Sequence, residues 1–560
     1  MDFRQKIATL LKDAGVQGDV VLEVPPQTDL GDFAFPCFPL AKQFKKAPGA
    51  IAADLVVTIG TVDFLEKVVA TGPYLNFFID KTKRTRAVLH DVFKHKDGYG
   101  HIPVGAGKTV VIDYSNPNIG KPMGIHHLGS TVLGHVLDNI HRALGFNVVA
   151  VNHLGDWGTQ FGVLIAAYKK WGDAKKLQED PVNYLLSIYV KYSAEEEKDP
   201  ALHEEAKQWF KKLEQGDEEA TMLWKSFRNS NLEYFKRMYK RFGIEFDSYN
   251  GEAFYSDKMQ PILAALKEKG IAEEDQGALI VRMDKPDVAP LIALKSDGSS
   301  TYAMRDLAAL KFRFDNYTPH KILYVVAMDQ ALHFYQLFET AHKLGYPRDA
   351  LVHVSFGLMR FPEGKMSTRK GKIVFLEDVF DRAVEDVTKI IQEKNPQLAN
   401  KTQIAEQVGV GAIVFGALLN DRVKDFEFDW DRMLDLQGDT GPYVQYTHAR
   451  ACSVLRKAKT PPTDVIDAGT LQLKAEYELV RMLEEFPDVL ASVLNDYKPH
   501  ILTQYLLKVS HKFNEFYHES PIIGAENADI AAARLLLCDC SRHVLHNGLK
   551  LLGLAAPQEM

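Results

Sequence analysis

The sequence predicts an α/β protein: a parallel sheet wound with helices in the middle of the chain, a small α/β domain before it and an all-helical bundle after it. Three observations predict it. A short β-branched run at residues 110–112 is followed by Leu128, Val132, Leu133, Val136, Leu137, Ile140 and Leu144 at helical spacing, stopped by Gly145. A second apolar run at 146–151 then completes a βαβ unit. Strand-length apolar runs return at 322–327 and 353–358, and around 426–436 the pattern turns helical and stays so to the end.

At 560 residues the chain exceeds what one core can serve, so several domains are expected. Residues 1–105 begin with an amphipathic helix on Phe3, Ile7, Leu10 and Leu11, pass through a Gly/Pro/Phe-rich middle, and end on a strand-like run at 74–79. Residues 106–162 and 251–430 carry the Rossmann-type sheet. The charged, helix-periodic stretch 163–250 interrupts it as a helical insertion, and 431–560 form the bundle. Within the second half of the sheet, a hairpin at 290–302 turning on Asp297 and Gly298 precedes a helix expected from Asp306.

Composition excludes some classes of protein. Hydrophobic content of 46% with 25% charged residues is ordinary for a globular chain. There is no apolar run near 18 residues and no basic-then-apolar leader, so a cytoplasmic protein without a membrane span is expected. The four cysteines, with Cys538 and Cys540 too close for a zinc pair on their own, point to reduced packing thiols and no protein-bound metal. A net charge of −7 does not advertise nucleic acid. Basic clusters at 42–46, 81–86, 236–241 and 450–459 are local, and each is as readily a solvated helix face.

Two loops carry chemistry. In a βαβ unit the strand's carboxyl end and the next helix's amino end form a crevice whose N–H groups favour phosphate, and here His126 and His127 stand at that helix tip. Read alone, the pair equally caps the helix. The second loop, Gly364 to Gly371, holds Lys365, Met366, Ser367, Thr368, Arg369 and Lys370; glycine-bounded cations and hydroxyls suit a mobile clamp on a polyanion, or simply a solvated surface. Gly105-Ala106-Gly107-Lys108-Thr109 imitates the end of a phosphate-binding P-loop, but the required earlier glycine is Ile102 and the strand follows instead of preceding.

Taken together, these segments resemble class I aminoacyl-tRNA synthetases and, within them, arginyl-tRNA synthetases. Gly124-Ile125-His126-His127 occupies the place of the His-Ile-Gly-His signature, with Gly124 for its first histidine and His126 for its glycine. Ser115-Asn116-Pro117-Asn118-Ile119-Gly120-Lys121-Pro122 is similar to the lead-in of the arginyl enzymes, and Lys365-Met366-Ser367-Thr368-Arg369 to the Lys-Met-Ser-Lys-Ser loop. Ser300 to Ala308 resembles the Tyr-Ala-x-Arg-Asp segment, 1–105 the additional amino-terminal domain that contacts tRNA, and Gly441 to Arg450 the opening of the anticodon-binding domain.

The resemblance implies arginine activation with ATP and Mg²⁺, then transfer to tRNA(Arg), in a monomer. It implies catalytic roles for Lys121, His127 and Lys365, with Lys121 replacing the lysine that Thr368 displaces. ATP contacts fall on Pro117, Gly124, His126, His127, Gly129, Lys365, Met366 and Ser367. Arginine contacts fall on Asp113, Ser115, Asn116, Asn118, Tyr302, Asp306 and Gln330, and tRNA contacts on Tyr443, Tyr446 and Arg450. A guanidinium needs planar paired acceptors and at least one carboxylate, which Asp306 supplies; an acid at a helix start is the alternative role for it. The alternative for the whole chain is a non-catalytic relative that binds tRNA or arginine, motivated by Gly124 and His126. A stand-alone amino-acid ligase on the same core is disfavoured by the terminal domains.

Overall fold

The computed structural model describes residues 3–25, 27–360, 374–433, 435 and 438–560. The chain divides into two compact units. The first comprises Met1–Tyr99, Arg450–Phe486 and Lys508–Asn547. Its sheet has the order β1-β3-β2, all antiparallel, from β1 (Phe33–Pro36), β2 (Leu65–Thr71) and β3 (Tyr74–Ile79). The helix Phe3–Asp13 lays Phe3, Ile7 and Leu11 against Phe33, Phe35, Leu75, Phe77 and Ile79, as the amphipathic pattern requires. Only β3 was legible beforehand, because β1 is four residues long and β2 buries little beyond Leu65.

Helical segments from the far end of the sequence belong to this same unit. In the helix Lys81–His95, buried Arg84 pairs with Asp32 and, at 3.1 Å, with Glu484, and its guanidinium donates to the Tyr477 hydroxyl. The 81–86 cluster is thus partly a structural ion pair.

The second unit is Gly100–Ala449, Pro487–Leu507 and Gly548–Met560. Its strands are β4 (Thr109–Asp113), β5 (Asn147–Val151), β6 (Glu273–Asp275), β7 (Ala278–Val281), β8 (Leu291–Leu294), β9 (Lys321–Tyr324), β10 (Leu351–His353), β11 (Met359–Arg360) and β12 (Phe426–Glu427). The parallel sheet has the order β10-β9-β4-β5, with Val111 opposite both Val149 and Ile322. Buried between crossover helices, its strands are continuous apolar runs. The helix Leu128–Ala143 packs on β4 and β5 so closely that a Cβ at Gly134 would fall 2.2 Å from the Tyr114 ring.

Three expectations need correction. The helix carrying Asp306 runs Tyr302–Tyr317, so Asp306 lies in its second turn and is no terminal acid. The run at 322–327 is strand only to Tyr324: the Val325 N–H makes the last ladder bond, to the Asp113 carbonyl (2.9 Å), and the Val325 carbonyl accepts from Ser130 Oγ (2.6 Å) instead of a neighbouring strand. The run at 353–358 is strand only to His353, and Phe356 forms an isolated bridge to Ala327. The hairpin turn at Asp297-Gly298 is present, with Leu294 bridged to Ser300 and Gly298 at φ 79°. The helices Thr159–Trp171 through Glu218–Phe242 cover the charged stretch 163–250 expected as a helical insertion.

Candidate active site

At the carboxyl end of β4 the backbone enters the left-handed region twice in succession, at Ser115 (φ 75°) and Asn116 (φ 51°). Each such non-glycine residue costs about 1–3 kcal/mol and persists only where its surroundings enforce it. They do so here. The Ser115 N–H donates to Ser130 Oγ (2.9 Å), and Ser115 Oγ bonds Thr131 and the Tyr239 hydroxyl, both at 2.8 Å. Asn116 Nδ2 donates to Asp113 (2.6 Å) while its Oδ1 accepts the His153 N–H (2.8 Å). The side chains of Ser115 and Asn116 are therefore spent on shaping the loop.

Tyr239 and Asn231 sit on the helix Glu218–Phe242, the last of the insertion. Asn231 Oδ1 accepts from the Gly120 N–H (3.0 Å), and Tyr239 also accepts from Asn152 Nδ2 (2.8 Å). Arg228 on the same helix pairs with buried Asp156 at 2.7 Å. Sequence reasoning treated 163–250 as an interruption; its buried face is in fact a wall of the loop. Asn231 on that face was the available signal, since a buried amide must find partners.

The loop ends at His127. The Gly124 N–H donates to His127 Nδ1 (3.1 Å), leaving the neutral ring's proton on Nε2; the Gly124 carbonyl lies 3.2 Å from the same nitrogen. Burial, His126 and Lys121 together push the His127 pKa down to about 3, so the ring is neutral at physiological pH. His126 is exposed, its ring 4.0 Å from that of His127. Lys121 is half-buried with its ammonium 5.3 Å from the Tyr189 ring, and burial lowers its pKa. Pro117 and Gly124 are buried. Gly129 follows on the helix, where a Cβ would meet Phe356 at 2.8 Å. Lys365, Met366 and Ser367 lie outside the described residues.

A second set of side chains converges beside this loop. Asp113 is buried and pairs with Arg313 at 2.5 Å, so its charge is already matched. Arg313 Nη2 reaches His153 Nδ1 (3.4 Å), and His153 Nε2 lies 3.9 Å from Asp306 Oδ1. The other Asp306 oxygen accepts from His333 Nε2 at 2.8 Å. Burial pushes the Asp306 carboxyl up, but the His333 hydrogen bond and the neighbouring His153, His333 and Arg313 outweigh it and hold the pKa below the usual value. Tyr302, 57% exposed, stands over the group with its ring 4.9 Å from His333. Glu252, paired with Arg305 at 2.9 Å, has its pKa raised chiefly by burial.

The structure thus links Asp113, Asn116, Tyr302 and Asp306 through His153, Arg313 and His333, which sequence reasoning missed. Arg313 had left a signal: it is the one cation among apolar residues on the buried face of Tyr302–Tyr317, two turns from Asp306, and demands an acid partner. Asn118 is exposed and bridged to Gly155. Gln330 is exposed in the turn Met328–Gln330 that opens the helix Ala331–Leu344 and makes no hydrogen bond to the others. Tyr443, half-buried, and Tyr446, exposed, lie on the helix Gly441–Lys457; farther along it Arg450 donates to Asn514 and stands 5.2 Å from the Tyr517 ring.

Among the described residues no cluster of three or more His, Cys, Asp or Glu could hold a metal, and no helix is long and apolar enough to cross a membrane. All four cysteines are free and buried.

Comparison with known proteins matches three family models in order: the arginyl tRNA synthetase N-terminal domain at residues 1–79, the class I (R) tRNA synthetase catalytic domain at 89–430, and the DALR anticodon binding domain at 444–560. The chain is 45% identical over 565 aligned residues, covering all of both chains, to the arginine–tRNA ligase of Clostridioides difficile, and 44% identical over 568 to that of Alkaliphilus metalliredigens. Its fold matches the arginyl-tRNA synthetase of Thermus thermophilus with a TM-score of 0.83 over 99% of each chain at 24% identity. With catalytic, amino-terminal and anticodon-binding models matched in sequence, and full-length relatives at this identity, the chain belongs to the arginyl-tRNA synthetase family of class I aminoacyl-tRNA synthetases.

Proposed function

We propose that the protein activates arginine with ATP and transfers it to tRNA(Arg), acting in the cytoplasm as a monomer, with Mg²⁺ entering on the ATP phosphates. The observation that carries this reading is the Asp306 carboxylate, held ionised by His333 beneath exposed Tyr302 and 3.9 Å from His153, whose backbone N–H is bonded by Asn116 of the loop that ends at neutral His127. An arginine guanidinium placed between Tyr302 and Asp306 finds a flat face and a charged acceptor. Its carboxylate then faces the phosphate crevice, with Asn118 and Gln330 completing the contacts. Asp113, Ser115 and Asn116 act one step removed, by fixing the loop.

The arginine carboxylate oxygen attacks the α-phosphorus in line; the bond to the β-phosphate oxygen breaks and pyrophosphate leaves. A terminal ribose hydroxyl of the tRNA next attacks the activated carbonyl, and AMP departs. No protein nucleophile takes part, so the chain contributes position and charge. His127 Nε2–H donates to a phosphoryl oxygen, Lys121 supplies a cation beside it, and Lys365 with Met366 and Ser367 clamps the leaving pyrophosphate. His126, Gly124, Gly129 and Pro117 border the adenosine.

We assign the chemistry to 106–162 and 251–430, with 163–250 as its supporting insertion, tRNA contact to 1–105, and anticodon contact to 431–560 through Tyr443, Tyr446 and Arg450. The catalytic-domain model matched at residues 89–430, with arginine–tRNA ligases up to 46% identical over the full chain, favours an active enzyme over a non-catalytic relative. Incubating the purified protein with labelled arginine, ATP and tRNA tests this: arginine becomes ester-linked to tRNA. Tight tRNA binding without transfer would instead identify the non-catalytic relative.

A further inference from the structure

The basic run Lys236 to Arg241 is not accounted for by the active site. Its buried members, Met238 and Tyr239, face the core. Two of its cations are neutralised: Lys236 pairs with Glu233 at 3.0 Å, and Arg241 pairs with Glu406 and Asp381, both at 2.7 Å. Arg237 and Lys240 remain, both exposed, three residues apart on one helix face, and among the described residues neither has an ion-pair partner. Arg237 lies 5.7 Å from the Tyr234 ring. Both line a cavity of about 450 Å³, whose other walls include Phe242, Val410, Leu554, Gln407 and the Arg241–Glu406 pair, in which the carboxylate is matched by its own cation.

We propose that this cavity binds a phosphorylated nucleoside, with its phosphate on Arg237 and Lys240 and its base or ribose on the apolar wall. Two unpaired cations one turn apart suit a phosphate, apolar side chains beside them suit a base, and the volume lies in the range of small-ligand sites. A carboxylate metabolite would use the cations and leave the apolar wall idle. The same helix presents Asn231 and Tyr239 to the signature loop, so an occupant here bears on the element that supports the active site. The nucleotide is supplied either by a stretch of the tRNA backbone, in which case the inference rests on the tRNA-charging reading, or by a free mononucleotide.

The test uses the full chain and two arms. In the first, tRNA affinity is measured against salt for the wild type, the double variant Arg237→Gln with Lys240→Gln, and Gln407→Trp, which fills the cavity and keeps its charge. Docking of tRNA predicts a roughly tenfold weakening and a salt slope lower by about 1 per cation removed in the double variant, and weakening at unchanged slope in Gln407→Trp. In the second, AMP binding is counted with the catalytic site saturated by a non-hydrolysable arginyl-adenylate analogue. One AMP per chain bound beside the analogue, and lost in both variants, identifies the free nucleotide. If neither arm distinguishes the variants from the wild type, the proposal is overturned. Failure of the wild type to charge any tRNA would overturn the functional reading instead, and the AMP arm would still report on the cavity.

Discussion

On the proposed reading, Asp306 is the residue on which amino-acid choice depends. Replacing it with Asn removes the charge partner of a guanidinium, a loss of about 2–5 kcal/mol for a desolvated pair. The arginine KM is then expected to rise thirtyfold or more while the ATP KM stays near that of the wild type, and a wild-type arginine KM in steady-state exchange would refute the role. His333 acts through Asp306, to which it donates at 2.8 Å. His333→Leu should raise the arginine KM as well, and combining it with Asp306→Asn should add little, because both remove one interaction. Additive losses in that double-mutant cycle would separate the two residues. Lys121→Ala is expected to lower kcat by about 10²–10³, the usual loss for one charge-assisted donor at a developing charge. Thr368→Ala, which removes only a neutral hydroxyl, should cost less, and a crippled Lys370→Ala beside a near-normal Lys121→Ala would place the missing cation on the other loop. Signature spacing marks Asp306, Tyr302 and His127 in the sequence as site candidates. It could not show that Asp113 is consumed by Arg313, since that pair joins a strand end to a helix 200 residues away in sequence through packing alone.

At the scale of elements, βαβ periodicity predicted β4, the helix Leu128–Ala143 and β5 nearly to the residue, whereas β9 and β10 came out shorter than their apolar runs. An apolar run marks burial, and burial continues past the last ladder bond into the loops that form the crevice. The insertion helix Glu218–Phe242 shows the reverse error, since its charged exposed face concealed a polar buried one. Tyr239→Phe leaves Asn152 Nδ2 and Ser115 Oγ each short of a partner, which costs about 1–3 kcal/mol. It is expected to lower thermal stability together with kcat, and an unaltered kcat would show that the loop does not need this support. The helix Leu128–Ala143 also carries His135 and His141, whose pKa values burial pushes down to about 4. The folded chain holds both rings neutral where the unfolded chain protonates them near 6.5, so protons favour the unfolded state. Their contribution is complete above pH 6.5 and is lost as pH falls toward 4. Melting temperature measured across that window should fall with acid, and less steeply in His141→Phe; an equal slope in the variant would contradict the assignment.

For the whole molecule, the sequence separates an amino-terminal domain from a terminal helical bundle, yet residues 1–99 and much of that bundle form one compact unit. Arg84 pairs with Glu484, the Tyr99 hydroxyl donates to the Leu483 carbonyl (3.0 Å), and Cys540 Sγ lies 3.5 Å from the Leu89 carbonyl. These contacts join segments hundreds of residues apart, so no local pattern announces them. Truncating residues 1–105 should therefore destabilise the helical segments, with a drop in melting temperature on the order of 10 °C for a few kcal/mol of lost packing; calorimetry showing an unchanged transition would contradict the shared unit. On the proposed reading, this chain activates arginine through an ionised carboxylate at Asp306. ATP–pyrophosphate exchange, run with tRNA present and with arginine or lysine as the amino acid, tests it most directly, because a point ammonium cannot replace a planar fork in such a pocket. Exchange is expected with arginine, little with lysine, and the arginine preference should be lost in Asp306→Asn; equal exchange with lysine in the wild-type protein would overturn the Asp306 assignment.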